Sequence, residues 1–128
     1  MRKRVILVIA AFSASLGCSS NSPTYGGGGG GNACTATATQ VCMMNVAFRP
    51  SNLAITRGTT ITWRNGDADY HTVTSATGSA DSYNSGLIGK GGTFSHSFAT
   101  PGIFAYYCTN HGVDGSPPTG MHGTITVN

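Results

Sequence analysis

The stretch Ile103-Phe104-Ala105-Tyr106-Tyr107-Cys108, introduced by Pro101-Gly102 and followed by Thr109-Asn110-His111, decides how this chain is read. It is aromatic, lacks helical spacing and follows a turn pair, so it predicts a strand. Similar runs lie on either side. Val41 to Phe48 is ended by Pro50. Leu53 to Thr56 is followed by the turn Arg57-Gly58. Thr59 to Arg64 alternates, with Ile61 and Trp63 on one face, and Asn65-Gly66-Asp67 turns the chain again. His71 to Ser75 is β-branched, Thr93 to Phe98 sets Phe94, His96 and Phe98 on one face, and Gly123 to Val127 closes the chain. About seven to eight short strands in roughly 90 residues predict an all-β sandwich of two packed antiparallel sheets.

The same stretch carries chemistry. Cys108 ends its strand and His111 follows after two residues, a spacing that fits a tight loop presenting both side chains to one ion. Met121 comes after nine intervening residues, in Gly120-Met121-His122-Gly123, and His71 opens a distant strand. One thiolate, two imidazoles and one thioether form a donor set that serves both Cu(I) and Cu(II), because soft sulfur suits the first and imidazole suits both. Each residue alone has a plainer reading as a core cysteine, a loop histidine or a core methionine. Together they are hard to explain by packing. His122 competes with Met121, but neighbouring strand residues face opposite ways. The glycines flanking the pair align Met121 with the site and leave His122 exposed. His96 reads as a half-buried strand histidine, and Met43-Met44 as strand packing.

The segments Phe48-Arg49-Pro50, Gly58 to Asn65, His71-Thr72-Val73, Pro101 to Phe104, Tyr107 to His111 and Gly120 to Gly123 resemble the cupredoxins, the small blue-copper proteins of plastocyanin and azurin type. The resemblance spans residues 40–128. It implies a Greek-key β-sandwich with one type 1 copper ion at one end. His71, Cys108 and His111 would lie in the trigonal plane, with Met121 as a weak axial ligand. It also implies electron transfer through the edge of His111, with Tyr107 as a second route. Two departures stand out. Nine residues separate His111 from Met121 where such proteins usually have about four, and Thr72 stands where many have an asparagine after the first histidine.

The beginning of the chain has a different character. Arg2, Lys3 and Arg4 precede the apolar run Val5 to Phe12, as in a secretory signal peptide of residues 1–17. Leu16-Gly17-Cys18 resembles the lipobox of bacterial lipoproteins, which makes Cys18 the lipidated first residue. Residues 18–38 form a tether that includes six consecutive glycines, Gly26 to Gly31, and the folded domain spans 39–128. Residues 19–33 reach roughly 20 Å as a random coil. The chain carries +3 overall, but three of its seven basic residues fall in the leader. Arg49, Arg57, Arg64 and Lys90 then balance Asp67, Asp69, Asp81 and Asp114. No basic footprint for nucleic acid remains. With Cys18 lipidated and Cys108 on a metal, Cys34 and Cys42 remain to form a disulfide in an oxidising compartment.

These observations predict an exported one-electron carrier with copper as its cofactor. It would be a monomer, periplasmic or on the cell surface, lipid-anchored to a bacterial membrane, and served by redox partners of cytochrome or oxidase/reductase type. Enzymatic copper sites commonly add His-x-His pairs, and His71, His96, His111 and His122 form none. A cysteine hydrolase would need an activated nucleophile, commonly at a helix N-terminus, and no helix is predicted. The alternative is a lipoprotein for copper storage or delivery, against which a closed four-donor set argues.

Overall fold

Eight strands form in a chain whose short β-branched and aromatic runs are punctuated by Gly, Pro, Asn and Asp. They are β1 (Gln40–Met43), β2 (Phe48–Arg49), β3 (Asn52–Ile55), β4 (Thr59–Asn65), β5 (Thr74–Ser75), β6 (Thr93–Phe98), β7 (Gly102–Val113) and β8 (Thr119–Val127). The structure is a computed structural model and describes residues 33–128. The leader, Cys18 and the glycine run lie outside the described residues. Among the described residues no helix occurs. The strands make two four-stranded sheets, ordered β2-β1-β4-β6 and β3-β8-β7-β5. Successive strands cross repeatedly between the sheets, as in Greek-key sandwiches. The all-β sandwich predicted from the strand pattern is thus the fold observed, but the sheets are mixed and not purely antiparallel, because β1 pairs with β4 and β3 with β8 in parallel.

The core lies between the sheets. Trp63, Phe98, Phe104, Tyr106, Ile61, Ile125 and Val41 are fully buried, all from alternating positions of their strands. The rings meet edge to face: Trp63 with Tyr106 at 5.4 Å, Phe48 with Tyr106 at 4.7 Å, Phe98 with Phe104 at 4.9 Å. Such pairs contribute about 0.5–1.5 kcal/mol each beyond the area they bury. Tyr106 lies directly across from Gly123, where a Cβ would come 2.5 Å from the phenol ring. Any larger residue there would push the ring out of the core next to Cys108.

Several strand boundaries differ from the sequence reading. Val41 to Phe48 is not one strand. It is the hairpin β1–β2, broken by a turn in which Asn45 and Val46 hold left-handed φ values of 54° and 55°. That turn is stabilised by a residue more than twenty positions away, so nothing local announces it. His71 to Ser75 forms two isolated bridges, His71 to Ile88 and Thr74 to Asn84, and the short β5. Two strands are longer than read: β7 continues through Cys108 and His111 to Val113, and β8 begins at Thr119 and not at Gly123. Close to the β1–β2 turn, Cys42 of β1 is joined to Cys34 in a disulfide that ties the start of the domain to a central strand.

Candidate metal centre

The site is built into a bulge of the β7–β8 hairpin. Tyr107 pairs with His122, and the next pair in register is Gly112 with Gly120. Four residues of β7, Cys108 to His111, therefore stand opposite the single residue Met121. A bulge bends its strand and re-aims side chains. Here it brings Cys108, His111 and Met121 to one place. The ladder resumes beyond it, with Val113 opposite Thr119. The extra residues between His111 and Met121 thus lengthen the hairpin and leave Met121 beside the cysteine. Gly120 permits this crossing. Its φ is 73°, and a Cβ would come 2.6 Å from the carbonyl oxygen of His111.

His71 reaches the bulge from the other side of the sandwich. It is fully buried, and its backbone exchanges two hydrogen bonds with Ile88. Several hydrogen bonds join its segment to the cysteine loop, among them one between the Thr72 and Thr109 hydroxyls at 3.2 Å. The Thr72 N–H points at Cys108 Sγ at 3.3 Å, Thr72 Oγ1 accepts from the Thr109 N–H at 2.9 Å, and Asn110 Nδ2 donates to the Tyr70 carbonyl at 3.0 Å. Thr72 therefore braces the loop from the position where asparagine is more usual.

Behind His71 stands Asp67. Its Oδ2 lies 2.9 Å from His71 Nε2, while Oδ1 and Oδ2 also accept the backbone N–H groups of Asn45 and Val46 at 2.8 and 3.0 Å. Burial alone would push this carboxyl up. The two backbone donors and the imidazole outweigh it and hold the group below the usual carboxylate value of 3.8. Asn65, fully buried, organises the loop. Its amide donates to the carbonyls of Asp69 and Ile88, and its oxygen accepts the Asp67 N–H. Asn65 and Asp67 were read from sequence only as turn residues. The signal that was available is an acid four positions before a candidate ligand.

With Nε2 turned to Asp67, His71 offers Nδ1 to the site. Nδ1 of His71 and Nδ1 of His111 are 3.2 Å apart, and Cys108 Sγ lies 3.7 and 3.6 Å from them. A point about 2.0 Å from all three atoms satisfies these separations, close to the 2.0–2.3 Å at which imidazole and thiolate bind first-row metals such as zinc. Three donors converging without a proton for every gap suit a cation. His71, Cys108 and His111 form the one such metal-binding group among the described residues. Cys108 is the one free cysteine among them and is fully buried.

Met121 is buried with Cys108 in the core cluster, whereas His122 is exposed and its ring is bonded to the Gly120 carbonyl through Nδ1 at 2.9 Å. His111 is half-buried, and Tyr107 is half-buried on the outward side of β7. His96 is half-buried as read, but it is engaged with Asp81 at 2.9 Å, away from the site.

The chain is similar to known proteins of one family. Residues 34–128 match the family described as copper binding proteins, plastocyanin/azurin family. A plastocyanin from Scenedesmus fuscus is 32% identical over 90 residues, covering 64% of this chain and 87% of that protein. A halocyanin from Natronomonas pharaonis is 34% identical over 83 residues, covering 63% of this chain and 48% of that protein. Among solved structures, an oxidised proline-to-alanine variant of amicyanin aligns with a TM-score of 0.59 at 26% identity, over 71% of this chain and 82% of that one. An oxidised methionine-to-leucine variant of amicyanin gives 0.61 at 24%, over 74% and 86%, a likeness of fold.

Proposed function

Because the chain belongs to the plastocyanin/azurin family of copper-binding proteins, we propose that it is a one-electron carrier holding a single type 1 copper ion. One observation carries this reading: two imidazole nitrogens and one thiolate sulfur converge to mutual separations of 3.2, 3.6 and 3.7 Å at one end of a rigid sandwich. His71, Cys108 and His111 would hold the ion, with Met121 as the weak fourth donor. Copper held there supplies reversible one-electron chemistry.

The protein's contribution is to keep the donors still. His71 is fixed by Asp67 and Ile88, and Cys108 by its strand and the Thr72 N–H. Donors that barely move when the charge changes by one suit a carrier. They do not suit a protein that hands its metal on, and no substrate need approach. His111 is the more accessible donor, and its edge is the proposed exit for the electron to a docked redox protein, with Tyr107 as a second route. The protein is proposed to act as a monomer and not as an enzyme.

The proposed location is outside the cytoplasm. Residues 1–17 act as the leader, Cys18 as the lipidated anchor, and residues 18–38 as the tether of the domain at 39–128. The Cys34–Cys42 disulfide supports an oxidising compartment. Two acyl chains on Cys18 give stable anchoring where one is marginal. Fractionation checks this: Cys18→Ser is expected to leave the membrane with its copper spectrum unchanged, and a wild-type protein found wholly soluble rejects the anchor. The visible spectrum of the purified protein with Cu(II) tests the central reading. An intense blue thiolate-to-copper band is expected, and its absence rejects the type 1 site.

A further inference from the structure

The turn between β1 and β2 has no place in the function described so far. Yet Asn45 and Val46 are two successive non-glycine residues in left-handed conformation, and Val46 is β-branched. Each costs roughly 1–2 kcal/mol relative to right-handed backbone. Strain of this kind persists where surrounding structure over-determines it. What determines it here is the carboxylate of Asp67. Two successive backbone N–H groups curl around an anion in the manner of a nest, and the anion they hold is a side chain of the protein itself. The same carboxylate oxygen that takes the Val46 N–H takes the outer nitrogen of His71.

Asp67 therefore accepts hydrogen bonds from three groups. An ionised carboxylate is purely an acceptor, so this network puts the His71 proton on Nε2 and leaves Nδ1 bare toward Cys108 and His111. A carboxylate behind a metal-bound imidazole fixes the ring and its tautomer and raises its donor strength. A stronger donor and a nearby negative charge both favour Cu(II) over Cu(I).

We propose that Asp67, clamped by the left-handed Asn45–Val46 turn, is a positioning residue of the metal centre. It holds His71 in its ligating tautomer and lowers the reduction potential. The β1–β2 turn thereby becomes part of the redox machinery, although it contributes no ligand. The proposal rests on the copper reading above, so the experiment separates the two.

The wild-type full chain is loaded with Cu(II) first. Without the thiolate band, the copper reading fails and takes this proposal with it. With the band present, Asp67→Asn is nearly isosteric but lacks the charge and the third acceptor position. It is expected to stay blue and to raise the potential by about 59 mV or more, a tenfold change for a one-electron couple. Asp67→Glu is expected to recover part of that shift. A folded, blue Asp67→Asn protein with an unchanged potential overturns the proposal. Nitrogen-15 NMR of the copper-free wild-type protein gives a second reading that no variant's folding can obscure. His71 is expected as the Nε2–H tautomer, and the Nδ1–H tautomer overturns the proposal.

Discussion

The two sides of the metal centre are made differently. At the rear, His71 is fully buried, tied by its backbone to Ile88, by its ring to Asp67, and through its neighbour Thr72 to the cysteine loop. At the front, His111 is half-buried, and the hairpin beyond it runs out through exposed Val113 and Asp114 before returning at Thr119. The rear is a network of hydrogen bonds between segments distant in sequence; the front is a bulge and an extended hairpin from two consecutive strands. The rear can keep donor geometry constant between oxidation states. The front can vary in length and surface without disturbing the donors, because the bulge sets their position before the extension begins.

Five substitutions test this division, from the largest expected effect to the smallest. Cys108 belongs to both sides, since its strand enters the bulge and its sulfur receives the Thr72 N–H. Cys108→Ser is expected to abolish the intense visible band while the far-ultraviolet spectrum keeps its β-sheet form. A variant that stays blue removes Cys108 from the ligand set.

Thr72→Ala acts on the rear alone. It deletes the acceptor of the Thr109 N–H, a loss of about 0.5–1.5 kcal/mol for a partly buried hydrogen bond. Denaturant unfolding is expected to show this, with broadened copper resonances from a less constrained loop. Full stability in this variant would mean that the two segments do not depend on the bridge.

Met121→Leu acts on the front alone. A buried thioether is replaced by a side chain of similar volume, so stability changes by under about 1.5 kcal/mol. The blue band persists and the potential rises, because the lost donor stabilised Cu(II) more than Cu(I). His122→Ala, on the outward face of the same strand, is expected to move neither. Voltammetry of both variants decides between them, and the reverse pattern would assign the fourth donor to His122.

Val46→Gly is the mildest change. It removes the β-branched side chain from a left-handed position and keeps the N–H that Asp67 accepts. Relief of roughly 1–2 kcal/mol of backbone strain is partly offset by about 0.5–1 kcal/mol of glycine entropy. Melting temperature is therefore expected to rise slightly or hold, with the potential unchanged. A marked loss of stability would show that the Val46 side chain, not the Asp67 clamp, sustains the turn.

Much of the fold was legible because strand patterning is local. Thr93 to Phe98 was read with its observed limits, and Ile61 and Trp63 fall on the buried face predicted from their alternation. The strand read as Val41 to Phe48 was misjudged for the converse reason. Its interruption at Asn45 and Val46 depends on Asp67, beyond β1 and β4 in the chain. Likewise Cys108 looked like a strand end. Whether a ladder resumes after a bulge is decided by the partner strand, which pairs Gly112 with Gly120.

What the sequence determined by itself was the chemistry of the donors and the kind of scaffold. Thiolate, imidazole and thioether are properties of single residues, and alternation at a period of two is carried by neighbours. Only the tertiary structure decided how those donors meet: four residues bulged opposite Met121, His71 delivered from the segment between β4 and β5, and Asp67 fixed behind it by a left-handed turn. These depend on hydrogen bonds spanning roughly twenty to forty positions, whose partners no local pattern can name, because each is chosen by the folding of the whole sandwich.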